Sequence, residues 1–145
     1  MSADSKRTAY FLTTQGIKKG DAVMLILRRR YEFWWFMLAL HRIGAIAVPA
    51  TDQLLEKDIE YRTNAAEIKM IVSFDSPALL AEIEKAMPNS KTVEKLVTVG
   101  SEREGWVHFH SEVQKYAPEF PRPQGDLATH NEDPMLMYFT SGTSG

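Results

Sequence analysis

Residues 22–27, Ala-Val-Met-Leu-Ile-Leu, form an unbroken apolar run between Asp21 and Arg28. A strand with one wet face alternates apolar and polar side chains. A strand covered on both faces does not, and such strands belong to parallel sheets with helices on either side. Working outward, residues 5–17 place Ala9, Leu12 and Ile17 among polar residues and close at Gly16 or Gly20, which predicts an amphipathic helix. On the other side, residues 31–43 predict a helix stopped at Gly44, and Ile46-Ala47-Val48 a short strand ended by Pro49.

The alternation continues. Residues 56–66 predict a helix and residues 70–74 a strand. Ser76-Pro77 then supplies a hydroxyl N-cap with proline at the first helical position, and Leu79, Leu80, Ile83 and Met87 make one apolar stripe before Pro88. Residues 95–99 predict a further strand ended by Gly100, and residues 105–116 a weak strand or turn leading into a short helix near Ser111. Prolines at 118, 121, 123 and 134 predict an extended surface connection, followed by an apolar strand at 135–139 inside the sheet. Strands alternating with helices across short connections predict an α/β fold, a parallel sheet flanked by helices.

The helix at 31–43 is unusual. Phe33, Trp34, Trp35, Phe36, Met37, Leu38 and Leu40 point all around its axis, so it is expected to be covered on several sides. Either it is central, or part of its cover lies outside these 145 residues. The second case predicts self-association of the chain on its own, through exposed apolar surface and any open sheet edge.

Composition sets limits. Seventeen basic and nineteen acidic side chains give a formal charge of −2, so no basic excess exists to displace counterions from a nucleic acid. The absence of cysteine excludes disulfides and thiolate chemistry and is compatible with a reducing compartment; we expect a cytoplasmic protein. The most apolar stretch, residues 33–40, is far shorter than the roughly 20 residues a membrane span needs.

Few residue sets could carry chemistry. The run Thr140-Ser141-Gly142-Thr143-Ser144-Gly145 combines hydroxyl donors with glycines that let successive N–H groups approach an anion. Read alone, it is equally a flexible tail. Residues 100–105 have G-x-x-x-x-G spacing, but Trp106-Val107 stand where a phosphate loop needs Lys-Ser/Thr, and no G-x-G-x-x-G occurs. His108 and His110 would share one face of a strand, yet two ligands are too few for zinc. Arg28-Arg29-Arg30 reads as a solvated cluster paired with Glu32 and other acids, and Asp58, Tyr61 and Arg62 as local helical neighbours.

Taken together, these stretches resemble the adenylate-forming acyl-CoA synthetases. The loop YFTSGTSG at 138–145 resembles their phosphate-binding signature, with Ser144 where threonine is common. Residues 16–27, 28–51 and 58–62 resemble the same enzymes' N-terminal region, and the double-Trp helix with its VPAT exit is most similar to the acetyl- and medium-chain branch. The resemblance implies a parallel sheet within a larger N-terminal domain, with residues 1–145 a truncated part ending inside the phosphate loop. It implies ATP and magnesium as reactants, a carboxylic acid as substrate and coenzyme A as co-substrate. Thr140, Ser141, Gly142, Thr143, Ser144 and Gly145 would hold the outgoing phosphates. It also implies that the loop's Pro-Lys pair, the adenine wall, the ribose- and metal-binding acids and a mobile C-terminal domain come later. The 145 residues alone are therefore expected to be inactive, to hold no cofactor tightly and to contain no catalytic or metal-ligating residue. The competing reading is a free-standing α/β binding or interaction module without catalysis.

Overall fold

The computed structural model describes residues 2–28 and 31–116. Along the chain run α1 (Ala3–Thr14), β1 (Ala22–Ile26), α2 (Tyr31–Ile43), β2 (Ile46–Pro49), α3 (Glu56–Ala65) and β3 (Ile68–Phe74). Then follow α4 (Pro77–Ala86), a 3-10 turn (Met87–Asn89), β4 (Lys95–Val99), β5 (Val107–His108) and α5 (Phe109–Val113). The five strands form one parallel sheet in the order β2-β1-β3-β4-β5. Strand 135–139, expected in this sheet, lies outside the described residues.

The unbroken apolar run explains the layers. All five residues of β1 are buried. Val23, Leu25 and Leu27 pack on one face with Phe11, Phe36, Leu40 and Phe109 from α1, α2 and α5. Ala22, Met24 and Ile26 pack on the other with Ile59, Leu79, Leu80 and Ile83 from α3 and α4. Period-two strand geometry sends alternate side chains of β1 to two separate apolar layers, so every position of this strand is apolar. Register aligns Met24 with Val48 and with Ile71, and Val72 with Val97.

Local signals set the element ends. Ser2 caps α1 by accepting from the Ser5 N–H at 3.2 Å, which starts the helix before the predicted Ser5. Ser76 caps α4 with Pro77 in the first turn, as its sequence predicts. On α3 the Asp58 carboxylate turns back to the Leu55 N–H at 3.1 Å, while Tyr61 points outward. Glu82 of α4 accepts from the Glu56 N–H at 2.8 Å and so ties the start of α3 to α4. That backbone bond, aided by Lys85, holds the Glu82 carboxyl below its ordinary pKa.

Of the two cases expected for helix α2, the first is excluded. It is not central, and among the described residues its cover is one-sided. Glu32, Phe36, Ala39, Leu40 and Ile43 face the sheet and are buried, while Tyr31, Trp34 and Leu38 are 81%, 63% and 46% exposed. At 100° per residue these two sets lie on opposite sides of the helix.

Candidate functional site

In a sheet ordered β2-β1-β3-β4-β5 the chain leaves β1 toward one side for β2, then crosses back to the other side for β3. Connections diverge at that point and open a crevice at the carboxyl ends of β1 and β3, where open α/β sheets meet ligands. The residues there are Arg28 after β1 and Phe74 and Asp75 closing β3. Arg28 adopts φ of 52°, uncommon for a side chain with a Cβ, and turns its guanidinium back over the edge. Its Nε lies 3.3 Å from the Asp52 carboxylate, and its Cζ lies 5.7 Å from the Phe74 ring centroid. The side chain remains 64% exposed, a cation held in place but open to solvent.

The same edge continues across β4 and β5. Asp75 accepts from the Ser101 N–H at 2.8 Å, fixing the turn after β4. Gly100, with φ of 122°, lets that carboxylate pass where a Cβ would sit. The Gly100 carbonyl meets His108 Nε2. A carbonyl only accepts, so the neutral ring carries its proton on Nε2, and Nδ1 accepts from the Ser111 hydroxyl at 2.6 Å. His110 lies one element on, in α5, with Nε2 2.9 Å from the buried Glu32 carboxylate of α2.

This arrangement corrects one expectation. His108 and His110 do not share a strand face, because β5 ends at His108 and α5 begins at Phe109. Each imidazole is engaged by a different partner, and among the described residues no group of three His, Asp or Glu side chains is placed to hold a metal ion. Glu32 meets His110, and Arg28 pairs with Asp52, one of the other acids expected around the arginine cluster. Arg29, Arg30 and the hydroxyl–glycine loop Thr140 to Gly145 lie outside the described residues. The role of Asp52 was not legible, because it comes from the loop after β2 and meets Arg28 only once those strands pair.

A second polar cluster braces the loop between β4 and β5. Glu84 of α4 accepts from Arg103 Nε and Nη2, both at 2.8 Å, and from Trp106 Nε1 at 2.7 Å. Hydrogen bonding from Arg103, helped by Trp106 and opposed by partial burial, holds the Glu84 carboxyl below its ordinary pKa. The reciprocal effect raises Arg103. A shallow, solvent-open depression beside Lys57, Glu60, Tyr61, Asn64 and Ala65 runs along α3 and not at the carboxyl edge. No helix of the described residues is long and apolar enough to cross a membrane.

Comparison with known proteins gives a consistent picture. The family profile described as "AMP-binding enzyme" matches residues 1–145. The rat mitochondrial acyl-coenzyme A synthetase ACSM5 is 34% identical over 131 residues, covering 90% of this chain and 22% of its own. The human mitochondrial acyl-coenzyme A synthetase ACSM1 is 38% identical over 138 residues, covering 93% and 22%. Among solved structures, the anthranilate CoA ligase AuaEII in complex with anthranoyl-AMP superposes with a TM-score of 0.85 at 22% identity, covering 99% of this chain and 26% of its own. A Brucella canis acyl-CoA synthetase superposes at 0.80 with 28% identity, covering 98% and 25%. The chain thus spans less than a quarter of the length of these two curated relatives.

Proposed function

The chain belongs to the AMP-binding enzyme family, and from that premise we propose that residues 1–145 are the N-terminal part of the AMP-binding domain of an acyl-CoA synthetase. The parent enzyme activates a carboxylic acid with ATP. The carboxylate oxygen bonds to the α-phosphorus, pyrophosphate leaves, and the coenzyme A thiol then takes the acyl group as AMP departs. The observation that carries this reading is the family match along the whole chain, joined to a terminal sequence whose residue types suit the reaction.

Thr140, Ser141, Gly142, Thr143, Ser144 and Gly145 hold the outgoing phosphates in this proposal. Hydroxyl and backbone N–H donors set in advance around phosphate oxygens lower the barrier as negative charge develops there. Neutral donors lack a charge-assisted bond, so this loop by itself binds ATP weakly. Magnesium accompanies ATP and screens its phosphates. Arg28, exposed at the switch point, is placed to meet an anionic group arriving at the carboxyl edge. The isolated 145-residue chain self-associates through the uncovered stripe of α2. A cytoplasmic location remains part of the proposal; the relatives compared above are mitochondrial by name.

The test is carboxylate-dependent ATP–pyrophosphate exchange by the full-length protein that carries these residues, with short- and medium-chain acids. Exchange should be robust, and Ser141→Ala should lower it by about 10²-fold or more. Exchange that is absent with every acid, or unchanged in the loop variant, would overturn the reading.

A further inference from the structure

The described residues expose five large hydrophobic side chains, and three of them, Tyr31, Trp34 and Leu38, line one stripe of α2. The opposite face of the same helix buries Phe36, Ala39, Leu40 and Ile43 against the sheet and α1. A surface helix normally turns charge outward, so an indole, a phenol and an isobutyl group in that position need a partner. The edges of the described sheet are poor alternatives for docking. Among the described residues β5 has two residues and β2 has four, ending in proline, so neither offers a long row of free backbone groups.

We infer that the Tyr31–Trp34–Leu38 stripe is the surface on which the remainder of the AMP-binding protein packs. The inference rests on the reading of this chain as one part of a longer enzyme. The relatives are more than four times longer than the matched segment. An N-terminal domain crystallised by itself from Mycobacterium tuberculosis, similar in fold at a TM-score of 0.81, is itself covered only to 33%. Most of the chain in such a protein therefore lies outside this segment and must meet it somewhere. Three of the five large hydrophobic side chains that the described residues expose lie together on α2, so burying that stripe removes substantial apolar area from water.

Covalent footprinting of tryptophan tests this, with buried Trp106 as the internal reference. In the 145-residue chain, diluted until sedimentation shows a monomer, Trp34 should label readily. In the full-length protein, also monomeric, its labelling should fall at least fivefold while that of Trp106 holds. Trp34→Glu with Leu38→Glu should lower the melting temperature of the full-length protein but leave that of the short chain unchanged. Equal labelling of Trp34 in both proteins would overturn the inference. Two further outcomes would also sink it. Protection that appears only as the full-length protein dimerises would identify a second copy as the occupant. Protection in the short chain that disappears on deleting residues 117–145 would identify its own tail. Pyrophosphate exchange is scored separately, so an active enzyme with an exposed Trp34 rejects the docking face alone, and an inactive one with a protected Trp34 rejects the activity alone.

Discussion

At position 100 an added Cβ would fall 2.6 Å from the Asp75 carboxylate, on backbone whose φ of 122° already disfavours any side chain. Gly100→Ala should therefore destabilise the chain by about 2 kcal/mol or more, measured by urea unfolding, and loosen the turn that positions His108. Thr98 presents the opposite case. Its hydroxyl is buried in β4 with no hydrogen-bond partner among the described residues, so Thr98→Val keeps the shape and removes a desolvated group. A rise in stability of about 1 kcal/mol is expected, and a clear fall would reveal a partner for that oxygen. Glu84 adds a pH dependence. Its carboxyl has a depressed pKa in the folded chain, chiefly from Arg103, so its contribution is complete above the unfolded value of about 4.3 and is lost as pH falls through the lower folded value. Melting temperatures of wild type and Glu84→Gln should thus differ near neutrality and converge in acid. A gap that widens on acidification would mean that the sign of the linkage is wrong.

At the scale of the element, α2 has two faces with different consequences for mutation. Phe36 meets Phe11 edge-on at 6.3 Å and Phe109 at 4.9 Å between ring centroids, so it joins three helices over one side of the sheet. Phe36→Ala should cost about 3–5 kcal/mol in the 145-residue chain, since these packed helices can close only part of the cavity. Trp34→Glu on the opposite side should stay within about 0.5 kcal/mol there, because an exposed side chain gives up little on replacement. Chemical denaturation of both variants checks the pair; equal losses would mean that the outer face is covered after all.

For the whole molecule, the described sheet carries an apolar layer on each face, while the matched relatives devote more than three quarters of their length to other sequence. The 145 residues alone should therefore show no carboxylate-dependent pyrophosphate exchange above a protein-free blank. Their ATP affinity, by titration calorimetry, should be millimolar or weaker. Micromolar binding would place a complete nucleotide site within this segment.

The sequence by itself determined the sheet type and most of the elements. AVMLIL at 22–27 reads as a strand covered on both faces, and Ser76-Pro77, Gly44 and Gly100 mark ends that local backbone chemistry dictates. The family could also be read there, because FTSGTSG and its upstream companions are contiguous patterns that survive without coordinates. What lay between strands was not legible. Asp52 with Arg28, Glu32 with His110, and Glu84 with Arg103 and Trp106 join residues 24, 78 and 19–22 positions apart, and nothing local selects one carboxylate over another. Nor could composition tell which side of α2 faces inward, since its apolar residues surround the axis. Tertiary packing decided that, because Phe36, Ala39, Leu40 and Ile43 fit the sheet and α1 while the bulkier Tyr31 and Trp34 were left on the outside.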